Sequence, residues 1–179
     1  MKNTLTWHSP LAWTRIVAGL EGVRLVEFHS QKELLPAESS PESDSPFIDA
    51  TQLLQEAARQ IDAYLAGRVT GFDLPLEFAG QSAFSRKVLL ALMEVPYGTN
   101  VSYGELSRMA GAAGAARAVG RVMASNPLPI IVPCHRVIPS SGGIGGYSGG
   151  EGSICKQWLL ELEGATAAGF SGNADSAYR

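Results

Sequence analysis

Cysteine and histidine are scarce in this 179-residue chain, which holds Cys134 and Cys155 and three scattered histidines, His8, His29 and His135. No pair of them stands at zinc-ligand spacing, so no metal is expected. Two cysteines do not make a disulfide framework, and both are read as free thiols of a reduced compartment. Long apolar runs are missing too. Nothing approaches the roughly 18 apolar residues of a membrane span, and Trp7, His8 and Pro10 interrupt the start where a signal peptide would have its apolar core. The chain is therefore expected in the cytoplasm, or in a nucleus, with no membrane partner. The phosphate cradle Gly-x-x-x-x-Gly-Lys-Ser/Thr is absent despite 20 glycines, and no cofactor is expected.

Basic charge is in short supply. The net charge of −3 on its own disfavours a nucleic-acid partner, whose phosphates attract Lys and Arg. The average hides an asymmetry: residues 1–80 hold six Lys and Arg against eleven Asp and Glu, whereas residues 81–164 hold seven against five. Any contact with phosphates belongs to the second part.

Apolar residues make up 45% of the chain, enough for a packed core. From Leu11 to Phe28 the pattern of Ala12, Ile16, Ala18, Val23, Leu25 and Phe28, broken at Gly19-Leu20-Glu21-Gly22, predicts a β-hairpin. Residues 36–46 are too rich in Pro and Ser to pack and read as a mobile loop. Leu53, Leu54, Ala57, Ile61 and Leu65 then recur at helical spacing, predicting one amphipathic helix from Phe47 to the stop at Gly67. Gly71, Pro75 and Gly80 mark residues 68–80 as a linker. The expected fold is α+β in two domains, residues 1–80 with a small sheet and a helix, and residues 81–179 mainly helical.

The second part opens with a helix over Phe84–Glu94, ended by Pro96 and Gly98. Ser102-x-x-Glu105 has the form of a capping box and starts a short helix through Met109. Gly111-Ala112-Ala113-Gly114 is a tight turn, and a helix of small residues runs from Ala115 to Ser125. Helix, glycine turn, helix is the helix-turn-helix pattern, which many proteins carry without touching DNA. Arg117 and Arg121, one turn apart on one face, favour a DNA reader, while Ala118 and Gly120 fit a tightly packed core helix equally well.

Four prolines between Asn126 and Pro139 exclude a helix and a central strand, and predict a rigid extended path ending in Cys134-His135-Arg136. A thiol beside His and Arg is expected to have its pKa lowered from the free value of about 8.5. In an extended chain neighbouring side chains point to opposite faces, so His135 should reach the sulfur through a water rather than directly. A buried structural cysteine is the plainer alternative.

Pro133-Cys134-His135-Arg136-Val137 resembles the active-site signature of the O6-alkylguanine-DNA alkyltransferases. Val101 to Leu106, Ala115 to Gly120, Asn126-Pro127, Gly146 to Gly150 and Trp158 to Gly164 resemble further blocks of that family, in its order. The resemblance implies a ribonuclease H-like first domain and a winged-helix-like second one with the helix-turn-helix. It implies a monomer that binds double-stranded DNA carrying O6-alkylguanine, flips the nucleotide out and takes the alkyl group irreversibly onto Cys134, one per chain. By the same resemblance His135 accepts the thiol proton through water, Glu163 orients and charges the imidazole, Asn126 braces the turn and Tyr103 donates a proton to the leaving guanine. Ser148 donates to O6, the Val137 backbone reads the exocyclic amine, Tyr147 and Gly149 shape the pocket, and Arg117 fills the gap in the duplex. Two departures stand out: five residues, about two more than the family often has, separate Gly150 from Lys156, whose role stays open, and the 111–114 turn lacks an Asn-Pro. The rival readings are a non-catalytic relative that flips and marks alkylated bases, disfavoured because such proteins lack the thiol that Cys134 supplies, a winged-helix regulator with an inert or redox-active cysteine, and a cysteine hydrolase. Adjacency of Cys134 and His135 speaks against the hydrolase, whose dyad residues come from distant segments.

Overall fold

The computed structural model describes residues 3–31 and 50–165. The loop read at 36–46 and the expected helix start at 47–49 lie outside the described residues. The chain is α+β and divides into two compact units, Met1–Ala79 with a small sheet and Gly80–Arg179, which is mainly helical.

In the first unit β1 (Thr4–His8), β2 (Trp13–Ala18) and β3 (Val23–His29) form an antiparallel meander in that order. The predicted hairpin is β2–β3, whose turn closes with the Gly19 N–H donating to the Gly22 carbonyl at 2.7 Å. Strand β1 escaped the sequence reading because its order comes from its partner, with Leu5 set opposite Ile16. Strand alternation puts Thr14, Ile16, Val26 and Phe28 on one buried face. Helix α1 (Ala50–Leu65) lies against the sheet and buries Leu53, Leu54, Ala57, Ile61 and Tyr64. Each such large apolar side chain withdrawn from water contributes about 1.5–3 kcal/mol. Gly67, at φ 67°, ends the helix: its N–H reaches the Tyr64 carbonyl and the Arg68 N–H the Ala63 carbonyl, a Schellman arrangement.

The stretch expected as a linker is in part structure. Val23 donates to the Pro75 carbonyl at 2.8 Å and Glu77 donates to the Val23 carbonyl at 2.9 Å, a parallel bridge. The buried Glu77 carboxylate also accepts the Glu21 N–H at 2.9 Å and so holds the hairpin turn. Glycine and proline rule out a regular element here, but not a short bridge.

The second unit begins with α2 (Ala83–Met93), capped by Ser82 Oγ accepting the Ser85 N–H at 3.0 Å, with Val88, Leu89 and Leu92 buried. The capping box forms as read at α3 (Tyr103–Met109): Ser102 Oγ accepts the Glu105 N–H at 3.1 Å and Glu105 Oε2 accepts the Ser102 N–H at 2.7 Å. Gly111 and Gly114, at φ 67° and 84°, turn the chain into α4 (Ala116–Ala124) through conformations that side chains resist. Helices α3 and α4 pack on each other and on α2, giving the helix-turn-helix. A short parallel pair, β4 (Val101–Ser102) with β5 (Val137–Ile138), sets the first residue of α3, Tyr103, beside the segment that carries Cys134. Helix α5 (Ser153–Leu162) buries Cys155, Lys156, Leu159 and Leu160.

Candidate functional site

The segment from Asn126 to Pro139 is not an extended path. Val132 donates to the Leu128 carbonyl at 2.8 Å, Ile130 sits at φ 73°, and Cys134–Arg136 forms one turn of 3-10 helix before β5. Proline removes donors and fixes its own φ, which stops regular elements without preventing a reversal at a neighbour. A β-branched residue in the left-handed region costs roughly 1–2 kcal/mol, so the reversal has to be held from outside. Asn126 holds it: its Nδ2 donates to the Val132 carbonyl at 2.8 Å and its Oδ1 accepts the Leu128 N–H at 3.0 Å.

In a 3-10 turn successive side chains diverge by about 120°, so Cys134, His135 and Arg136 face three ways. His135 and Arg136 leave the turn in different directions yet both reach Glu163, the C-cap residue of α5. His135 Nε2 lies 2.6 Å from Glu163 Oε1, and Arg136 grips the carboxylate through Nε at 2.9 Å and Nη2 at 3.0 Å. The Gly98 N–H donates to Glu163 Oε2 at 2.9 Å, and Arg136 Nη1 donates to the Val95 carbonyl at 2.6 Å. All three side chains are buried. Burial pushes the His135 pKa below its ordinary value, Glu163 opposes this, and the charges of Arg136 and Lys156 add to it. The imidazole is thus neutral at neutral pH. Because a carboxylate accepts and does not donate, Nε2 carries the hydrogen and Nδ1 the basic lone pair. The Glu163 carboxylate meets the ring at Nε2 and its charge favours the protonated imidazole, but burial outweighs it.

The thiol is also corrected. Burial pushes Cys134 up; the Asn126 amide, the Lys156 ammonium and the backbone N–H groups of Cys134 and His135 pull it partway back. The expectation that His135 and Arg136 lower it fails because the first is neutral and the second faces Glu163. Cys134 forms part of the wall of a cavity of about 260 Å³, together with Tyr103, Gly120, Met123, Ala124, Gly146, Tyr147 and Ser148. That volume lies near the low end of small-molecule sites, roughly 300–1,000 Å³, and suits one compact flat group. Tyr103 is held above the usual phenol range by burial and by the nearness of Cys134, so it stays a proton donor. A Cβ on Gly120 would stand 3.9 Å from the Tyr103 ring, which shows how closely α4 approaches that aromatic.

The structure therefore gathers Cys134, Tyr103, Tyr147 and Ser148 around one space, with Asn126, His135 and Glu163 outside its wall. Three further residues singled out from sequence also stand outside the lining. Gly149 lies under the Tyr147 ring, where a Cβ would come within 2.9 Å of it. Val137 is buried, its carbonyl accepting from Lys156 Nζ at 2.7 Å. Arg117 is exposed in the first turn of α4, the helix whose Gly120, Met123 and Ala124 line the cavity. Sequence reading missed the Arg136–Glu163 fork and the full burial of Lys156; two opposite charges 27 residues apart carry no local mark of pairing. The longer 151–155 segment is ordered at its end: Gly152, at φ 66°, precedes α5, and the Glu151 N–H donates to Cys155 Sγ at 3.1 Å. Among the described residues no group of three or more His, Cys, Asp or Glu could hold a metal, and no helix is long and apolar enough to cross a membrane.

Comparison with known proteins agrees with this arrangement in both units. The model of the 6-O-methylguanine DNA methyltransferase ribonuclease-like domain matches residues 3–78, and that of the DNA binding domain of the same proteins matches residues 83–165. The methylated-DNA–protein-cysteine methyltransferase of Methanosarcina acetivorans is 36% identical over 159 residues, 89% of this chain and 96% of its own. That of Cricetulus griseus is 39% identical over 174 residues, 92% of this chain and 82% of its own. The crystal structure of Mycobacterium tuberculosis OGT in complex with DNA matches at a TM-score of 0.74 and 36% identity, over 90% of this chain and 92% of that one. With both domains matched in order and relatives aligned nearly end to end, the chain belongs to the methylated-DNA–protein-cysteine methyltransferase family.

Proposed function

We propose that this chain repairs double-stranded DNA by taking the alkyl group from O6 of guanine onto Cys134, once per molecule. The observation that carries the reading is a base-sized cavity with a buried thiol in its wall, bounded by the second helix of a helix-turn-helix. O6 lies inside the base stack, so the nucleotide must rotate out, at a cost of a few kcal/mol in stacking and pairing. Arg117, exposed at the start of α4, fills the gap left behind.

In the transfer the Cys134 sulfur gives an electron pair to the alkyl carbon while the carbon–O6 bond breaks, its electrons passing to the base. The thiol proton leaves through a water to His135 Nδ1, whose lone pair is fixed by the Nε2 contact with Glu163. The displaced guanine takes a proton from Tyr103, which burial keeps protonated. Ser148 donates to O6 at the cavity wall, and Tyr147, resting on Gly149, shapes the space. The Val137 carbonyl, with one lone pair given to Lys156, keeps the other for the exocyclic amine. The thioether is not reversed, so the protein acts stoichiometrically, as a monomer.

Incubation of the whole chain with a duplex carrying O6-methylguanine, followed by intact mass, tests this. One gain of about 14 Da per chain, absent in Cys134→Ala, is expected for transfer to a thiolate. No gain, with or without tight binding of the lesion, overturns it.

A further inference from the structure

Lys156 lies in the first turn of α5 with 0% of its surface exposed. Its Nζ donates to the Val137 carbonyl at 2.7 Å and to the Gly146 carbonyl at 3.4 Å. Val137 follows the Cys134–Arg136 turn, and Gly146 shares the cavity wall with Cys134, so the ammonium ties the strand that follows the nucleophile's turn to the glycine-rich wall. A fully buried lysine is rare unless its charge is matched. Its acceptors among the described residues are two neutral carbonyls. The other cation of the site, Arg136, ends on Glu163, and His135 is neutral.

We infer that Lys156 is the charge partner of the Cys134 thiolate, a positioning residue that makes the ionised nucleophile attainable in a buried site and holds the cavity wall against it. The inference rests on Cys134 as the nucleophile of the proposed transfer. Burial brings Lys156 down to about 8 and the nearness of Cys134 opposes that fall, just as Lys156 opposes the upward push on the thiol. The two groups titrate as a pair, and in the reactive form Nζ holds its own proton while the thiol proton has left through the water to His135. The remaining titratable groups around them are Tyr103, which stays protonated, and His135, Arg136 and Glu163, which close on one another. Lys156 keeps its proton while the sulfur–carbon bond forms and the carbon–oxygen bond breaks. Afterwards it faces a neutral thioether.

The test replaces the ammonium with a neutral chain of similar length, Lys156→Met, and with another cation, Lys156→Arg. The rate of Cys134 alkylation by iodoacetamide is followed against pH in the whole protein, with Cys134→Ala as the blank for Cys155. In Lys156→Met the thiol inflection is expected to move up by about one pH unit or more, with the single-turnover methyl-transfer rate at pH 7 down about tenfold at unchanged duplex affinity. Lys156→Arg is expected to recover part of both. A folded Lys156→Met with the wild-type inflection overturns the inference, and so does Lys156→Arg behaving as Lys156→Met. Should Lys156→Met fail to fold, NMR titration of the Lys156 side chain in the wild type and in Cys134→Ala decides: the lysine titrates lower without the sulfur, and an unmoved value overturns the pairing. A wild type that takes iodoacetamide at Cys134 but no methyl from DNA defeats the functional reading, while the titrations still judge the pair.

Discussion

Two arginine–glutamate forks of nearly the same shape, one in each unit, differ in everything but geometry. On α1 Arg59 meets Glu56 through Nε at 2.7 Å and Nη2 at 2.5 Å; Arg136 meets Glu163 through Nε at 2.9 Å and Nη2 at 3.0 Å. The first pair's side chains are 67% and 42% exposed, the second's 8% and 0%. Water and salt screen the first pair, and either partner can lose the other and be solvated instead. In the second, a charge deprived of its partner stays in apolar surroundings. The buried carboxylate also serves the imidazole, so the same fork that neutralises Arg136 sets the tautomer of His135.

The comparison breaks most sharply at Glu163. Glu163→Gln leaves Arg136 buried and uncompensated, and is expected to destabilise the second unit by about 3–5 kcal/mol, read from urea unfolding of the whole chain. Methyl transfer should slow as well, because an amide can present its NH2 to Nε2 and invert the tautomer. A loss below about 1 kcal/mol would place the buried pair in the class of exposed ones.

Replacing both partners separates stability from chemistry. Arg136→Met with Glu163→Leu keeps the volume and removes both charges, and such exchanges of a buried pair are often neutral or stabilising. The double variant is expected to regain most of the stability that Glu163→Gln loses, yet to stay slow in transfer, because nothing fixes the His135 ring. Full recovery of the rate would show that Glu163 serves packing alone.

What was legible in the sequence follows the same division between local and distant. The Ser102–Glu105 capping box, the Gly111 and Gly114 turn and the Gly67 stop are set by neighbours within a few residues, and each formed where it was read. The Cys134-His135-Arg136 cluster was legible as a thiol set beside a base and a cation, but its electrostatics were not. Adjacency in sequence pointed to His135 and Arg136 as the groups that lower the thiol pKa; the 3-10 turn brings both to Glu163, and a buried cation that no local pattern marks, Lys156, opposes the upward push on Cys134 instead. Strand β1 and the Pro75–Glu77 bridge were missed for a related reason, since both exist through pairing with distant residues.

Acid sharpens the contrast at an intermediate level. An unfolded histidine takes its proton near 6.5, whereas burial holds folded His135 lower. Between those two values the unfolded chain binds more protons, so stability falls as pH falls through that window. Thermal melts from pH 7 to pH 5 are expected to show a smaller loss in His135→Gln than in the wild type, His8 and His29 being common to both. Equal losses would mean that the folded site accepts the proton as readily as water does.

The smallest effect is expected where the fork is shortest. Arg59 and Gln60 hold the Glu56 carboxyl down at about 2, a shift that in an apolar site would signal a strong dependence of folding on the pair. Here both side chains stand in water, which solvates either charge once the other is gone, so the shift does not convert into stability. Glu56→Gln is expected to leave the melting temperature at pH 7 and the transfer rate where they are, at low salt and at high salt alike. If it lowered the melting temperature as far as Glu163→Gln, the hydrogen-bond geometry that the two forks share, rather than withdrawal from solvent, would set what each contributes to stability.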